Sequence, residues 1–247
     1  MSRSKIKKFA EMETLPNVFQ LSYNDILNHG ATFAMKGRWR EDYFNNNNPI
    51  VLELGCGKGE YAVGLAKRFP DKNFIGIDIK GSRMWTGAKE AYNTGLTNCA
   101  FLRTGINAIP HFFAPAEVDE IWITFADPQM KKANKRLTST TFMRLYQQIM
   151  KDNGIVNLKT DSDFLYEYTR MMTEASGLTA EVATDDLYGT EVECGFVKEI
   201  QTYYESKWLE MGKKIKYMRF RLPVAAELKE PEHEPDKDQY TSKDWER

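Results

Sequence analysis

Three cysteines in 247 residues, Cys56, Cys99 and Cys194, are too few and too scattered for a disulfide framework or a zinc site. No apolar run approaches the roughly 18 residues of a membrane span. Residues 1–12 are polar and basic and lack the apolar centre of a secretory signal. No cluster of metal-ligating residues stands out, so no metal is expected. Charge of one sign is also missing, the formal net being −1. These absences argue against a disulfide-stapled secreted protein and a membrane protein. The expectation is a chain that works in the reducing cytoplasm with no membrane partner.

What is present fits a globule of 42% hydrophobic and 28% charged residues. The length suits one α/β domain with a large core or two small ones. The charge is uneven. Residues 227–247 hold eight acids and four bases, a net of −4, which leaves +3 for the rest. A mildly basic body permits an anionic partner without demanding one. Arg3, Lys5, Lys7 and Lys8 precede Pro16, so residues 1–18 read as a flexible basic arm or an ordinary loose terminus. Beyond Pro223 the chain is rich in Glu, Lys and Pro, and residues 223–247 read as a disordered acidic tail.

The segment between, residues 19–222, opens with a short helix somewhere in 21–44 and a loop at Asn45–Asn48. Then a regular alternation begins. Strands are expected at 49–54, 73–78, 99–102, 120–125 and 154–159, with a late one at 213–222. Amphipathic helices are expected at 60–69, 82–93, 138–150 and 163–175. Strands alternating with helices predict an α/β, doubly wound, parallel sheet.

The first strand runs into Leu52-Glu53-Leu54-Gly55-Cys56-Gly57-Lys58-Gly59-Glu60. Such a glycine loop lets backbone turn sharply and approach a ligand. The dinucleotide pattern G-x-G-x-x-G would need its last glycine at 60, where Glu stands; the third glycine is Gly59. A pyrophosphate belongs against a helix N-terminus, and Glu53 and Glu60 would repel it. S-adenosylmethionine has no phosphate and carries a sulfonium and an ammonium that carboxylates suit. Asp78 ends the second strand, placed to accept hydrogen bonds from ribose hydroxyls. Loop, acids and strand frame together point to S-adenosylmethionine as cofactor, with S-adenosylhomocysteine as product.

The fourth strand is followed by Phe125-Ala126-Asp127-Pro128-Gln129 and then by Lys131, Lys132, Asn134, Lys135 and Arg136. Loops at the carboxyl ends of parallel strands face the ligand crevice, so Asp127 is expected there. Four cations within six residues suit a phosphate backbone. The plain alternative is a solvated charge run, though cations before a helix oppose its dipole.

At these residues the chain resembles the bacterial tRNA (guanine-N7-)-methyltransferases. The resemblance spans about residues 9–222. It rests on Leu52–Gly59, Gly76-Ile77-Asp78, Phe125–Pro128 with Asn134-Lys135-Arg136, Thr160-Asp161, and Thr202-Tyr203-Tyr204-Glu205 followed by Gly212. It implies a Rossmann-like class I methyltransferase fold with a late antiparallel strand. It also implies methyl transfer to N7 of guanosine-46 in the tRNA variable loop, in tRNA processing; no obligate protein partner is expected, and monomer and homodimer both stay open. Glu53, Gly55, Gly57, Gly59 and Asp78 match the family's cofactor positions. Asn107 stands where the family usually has an acid near the adenine. Asp127 matches the acid assigned to cofactor and catalysis. Lys131, Asp161, Thr202, Tyr203, Tyr204 and Glu205 match positions that hold the substrate nucleotide. Lys132, Asn134, Lys135 and Arg136 would then grip the tRNA backbone.

Two departures appear. The family's Phe-Pro-Asp-Pro-Trp reads here with Ala126 and Gln129 in place of Pro and Trp. Without that Trp, a platform for the target base would have to come from Tyr203, Tyr204 or Trp208, each of which also reads as core. Asp161 also reads as the N-cap of the helix at 163–175, and Thr202 with Glu205 as a capping box. Rival readings are a methyltransferase acting on an exocyclic amine or small molecule, a nicotinamide oxidoreductase, and a silent RNA-binding subunit.

Overall fold

The computed structural model describes residues 3–21, 23–191 and 195–238; Cys194 lies outside them. Eight strands form one sheet: β1 (Val18–Gln20), β2 (Ile50–Leu54), β3 (Asn73–Asp78), β4 (Cys99–Arg103), β5 (Val118–Thr124), β6 (Met150–Thr160), β7 (Ala180–Thr184) and β8 (Lys216–Leu222). Their spatial order is β1-β4-β3-β2-β5-β6-β8-β7. All neighbours are parallel up to β6; β8 is antiparallel to both β6 and β7. The helices are α1 (Arg3–Met12), α2 (Tyr23–His29), α3 (Glu60–Arg68), α4 (Gly81–Asn93), α5 (Thr140–Gln147), α6 (Asp163–Ala175), α7 (Phe196–Glu199) and α8 (Tyr203–Glu210).

Period-two alternation builds both layers of the core. Along β2, Ile50, Leu52 and Leu54 pack on one face with Ile121, Ile123, Leu158 and Met218. Val51 faces the other layer with Phe74, Phe101, Trp122 and Tyr217. A strand buried on both faces reads as a continuous apolar run, as Ile50–Leu54 does. The chain lays β2, β3 and β4 outward to one side and returns to place β5 and β6 on the other. The strand order therefore reverses between β2 and β5, and a crevice opens above their carboxyl ends.

Both chain ends differ from expectation. Residues 3–12 form a helix in place of a free arm. It docks on α4, where Glu11 accepts hydrogen bonds from Trp85 Nε1 and Lys89 Nζ, and Met12 is fully buried. The acidic segment is ordered through residue 238. Leu228 inserts into the core, and Gln147 Nε2 donates to the Pro223 and Ala226 carbonyls. Composition misses both because one or two buried side chains and a few polar anchors suffice to tether a segment that is otherwise hydrophilic.

Candidate functional site

A cavity of about 600 Å³ opens above the carboxyl ends of β2, β3 and β5. Its floor is Gly55, Cys56 and Gly57, and its walls come from Asp78 to Lys80, Thr124 to Asp127, and Thr202 with Tyr204. Gly55 and Gly57 have positive φ of 75° and 55°, and a Cβ on Gly55 would meet nothing within 4 Å. The loop thus turns tightly beneath open space. Gly59 serves a different end. Its φ is 74° and a Cβ there would sit 2.5 Å from Phe101 Cε1, so glycine lets α3 start flush against the sheet.

Glu53 is buried, with both carboxylate oxygens committed. Oε2 accepts from Ala62 N at 2.9 Å and Oε1 from Thr124 Oγ1 at 2.7 Å. Gly59, the residue before α3, has no side chain to cap that helix, and Glu53 takes over from the strand. Burial pushes its carboxyl up to about 8, against the pull of those two hydrogen bonds. Asp78 accepts from Gly57 N at 2.9 Å and Lys80 N at 2.7 Å. Three amides of this turn are therefore taken: Gly57 N by Asp78, Gly59 N by Cys56 O, Ala62 N by Glu53. Glu53, Glu60, Asp78 and Asp127 line the cavity beside Lys58, Lys80, Arg83 and Lys135. Both signs of charge and a ribose acceptor fit S-adenosylmethionine, whose amino-acid end carries an ammonium and a carboxylate.

Asp127 is exposed at the rim, and its Oδ1 accepts from Gln129 N at 2.9 Å. The turn around it is strained: Phe125 and Gln129 have φ of 50° and 48° without being glycine. Lys131, Lys132, Asn134 and Lys135 are exposed, and Lys135 reaches the cavity. Arg136 is a correction. Its side chain is fully buried, stacked 4.6 Å from the Phe164 ring centre and 4.5 Å from that of Tyr168. It binds the Gln129 and Met130 carbonyls and Glu234. A guanidinium so enclosed does not meet an RNA phosphate; the acidic segment reaches it first.

The other candidates divide. Thr202 and Tyr204 line the cavity, and Tyr203 is 46% exposed beside them, with Lys58 Nζ 4.2 Å and Lys207 Nζ 4.8 Å from its ring centre. Glu205 is fully buried. It completes a capping box with Thr202, receives Tyr188 Oη and pairs with buried Lys159 at 2.7 Å, so it shapes the start of α8. Desolvation lowers the Lys159 pKa, opposed by that carboxylate. Trp208 packs in the core and offers no platform. Asn107 is exposed on the 3-10 turn Ile106–His111; its neighbour Ile106 lines the cavity and Asn107 does not. Asp161 follows β6, next to the end of β5. The N-cap of α6 is Ser162, and the buried Asp161 Oδ2 has no hydrogen-bond partner, with Lys213 Nζ at 3.8 Å. Burial raises the Asp161 pKa.

Sequence reasoning passed over Lys58, Ile79, Arg83 and Thr124, all at the cavity. Ile79 had a readable signal, an apolar residue directly after the ribose acid, and it stands 65% exposed. Among the described residues no cluster of potential metal ligands occurs, and no helix is long and apolar enough to cross a membrane.

The family described as "Putative methyltransferase" matches residues 47–218. Among solved structures, an antibiotic-related methyltransferase superposes with a TM-score of 0.57 at 17% identity, covering 77% of this chain and 96% of that one. The 16S rRNA methyltransferase KamB gives 0.56 at 14% identity, covering 74% and 92%. These likenesses show the class I methyltransferase fold. The tRNA (guanine-N(7)-)-methyltransferase of Bacteroides fragilis is 53% identical over 242 residues, 98% of this chain and 95% of the relative. That of Porphyromonas gingivalis is 53% identical over 94% and 95%, and that of Streptococcus suis 35% over 73% and 84%. The chain therefore belongs to the tRNA (guanine-N7-)-methyltransferase family of S-adenosylmethionine-dependent enzymes.

Proposed function

We propose that this protein methylates N7 of a guanine in the tRNA variable loop, at position 46. The observation that carries the reading is one cavity shared by two kinds of wall. A phosphate-averse glycine loop forms its floor, and Asp127, Lys135, Thr202 and Tyr204 form its rim. Bound on that floor, S-adenosylmethionine supplies an electrophilic methyl. Neutral guanine N7 carries a lone pair and no proton, so no side chain has to remove one. Asp127 acts as an anchor, accepting hydrogen bonds from the base's N1 and N2 donors and balancing the charge that develops on the purine. Asp161 adds a second carboxylate, buried after β6 with Lys213 Nζ 3.8 Å from its Oδ2. Tyr203, bracketed by two lysines, is the exposed aromatic that can stack on a base where the family's Trp is Gln129. Lys131, Lys132, Asn134 and Lys135 grip the phosphate backbone. The enzyme works in the cytoplasm as a monomer or homodimer.

Incubating bulk tRNA with methyl-labelled cofactor and mapping aniline-sensitive sites tests this. One new cleavage site at the variable-loop guanine is expected. Label on exocyclic amines, or none, would refute the proposal.

A further inference from the structure

Residues 223–238 do more than trail from β8. They cross α5 and α6 and end at the N-termini of both helices, beside the loop that carries Asp127. Glu230 accepts from Thr140 N and Oγ1 at the start of α5. Asp238 accepts from Ser162 Oγ and Phe164 N at the start of α6. Between these two anchors, Glu234 meets Arg136 Nη2 at 2.8 Å.

Arg136 passes that contact inward. Its Nε donates to Gln129 O at 3.3 Å and its Nη2 to Met130 O at 3.2 Å. Gln129 is the non-glycine residue held at φ 48°, and its own N–H is the donor to Asp127 Oδ1. A left-handed residue of this kind persists only where its surroundings over-determine it. The guanidinium fork on two successive carbonyls is such a determinant, and Phe164 and Tyr168 hold the fork in place. The charge is fully buried, so its own position depends on a carboxylate partner.

We infer that Arg136 and Glu234 are positioning residues for methyl transfer: the C-terminal segment, through the guanidinium, fixes the turn that presents Asp127. Neither residue touches substrate. The inference rests on the methyl-transfer reading above, and it predicts a defect in the chemical step at saturating substrate. A 1 Å misplacement of a catalytic group costs on the order of a hundredfold in rate, and loosening one tether of several should cost less.

The test uses the full-length protein and the Glu234→Gln, Glu234→Asp, Arg136→Lys and Glu232→Gln variants. Methyl transfer is measured across tRNA concentrations up to saturation, by steady-state and single-turnover kinetics at saturating cofactor, with hydrogen exchange of the peptide spanning 126–136. Glu234→Gln should slow transfer by about tenfold and speed exchange at Gln129 and Met130, with cofactor affinity and melting temperature close to wild type. Glu234→Asp, keeping a carboxylate, should recover much of the rate. Arg136→Lys keeps the charge but loses the fork, and should fall with Glu234→Gln. Glu232→Gln makes the same charge change at an exposed neighbour and should match wild type. A wild-type rate and unchanged exchange in Glu234→Gln would overturn the inference. So would a change confined to the KM for tRNA, which would put the Arg136 charge on RNA. Inactive wild-type protein would instead refute the methyl-transfer reading, while the exchange data would still decide the tether.

Discussion

Glu53 and Arg136 show how far a residue's role departs from its type. The motif points both at ligands; in the fold Glu53 has both carboxylate oxygens bonded within the protein, and Arg136 has its Nε and Nη2 so engaged. For Glu53 the commitment has a pH signature. Its carboxyl titrates near 8 in the fold and near 4.5 when unfolded. Between those values the folded state holds the extra proton. Its contribution to stability is therefore full below about 4.5 and is lost as pH rises through about 8. Glu53→Gln, isosteric and neutral, should flatten the fall in melting temperature between pH 5 and 8; parallel curves for the two proteins would contradict this. For Asp127 the outcome differs, because the side chain is exposed and its loss leaves no core defect. Asp127→Ala should lower kcat by about 10²–10³, the size seen when one charge-stabilising group is lost, while cofactor affinity by calorimetry changes far less. Equal losses in both would end its role as an anchor of the base.

At the scale of elements, the strand-loop-helix unit of β2, the glycine loop and α3 sets the site. Gly59→Ala should cost about 2–4 kcal/mol in urea unfolding, from the left-handed penalty plus overpacking on Phe101. An Ala variant as stable as wild type would mean that the loop is softer than its contacts imply. Elements with strong periodicity were legible in sequence. β3 at Asn73–Asp78 and α6 at Asp163–Ala175 stand where the pattern put them. β1 and β7 were not, because edge strands of three and five residues, mostly exposed or half-buried, carry no apolar run. The capping box at Thr202 and Glu205 was legible as spacing. That Glu205 also neutralises buried Lys159 was not, since that pair depends on how α8 folds back over β6.

Across the whole molecule, the two ends of the chain carry what composition concealed. The cofactor floor was readable because it is local in sequence. The burial of Arg136 was not, because its partners come from α6 and from the far end of the chain. The acidic segment should thus matter to stability as well as to the loop. Deleting residues 223–247 removes Leu228 from the core and the carboxylate at the start of α5, and should cost about 2–4 kcal/mol. An unchanged melting temperature would show that the segment is not integrated. On the RNA side, charge reversal at Lys131, Lys132 or Lys135 should each reduce the slope of log affinity against log salt by about one.

The central claim is that N7 of the variable-loop guanine attacks a methyl held over the Gly55–Gly57 floor. The most direct measurement is single-turnover transfer to a tRNA whose guanosine-46 is replaced by 7-deazaguanosine, which keeps the base's N1 and N2 donors but has no nitrogen at position 7. The account predicts normal binding of that tRNA and no methyl transfer. Transfer at the rate of unmodified tRNA would contradict it.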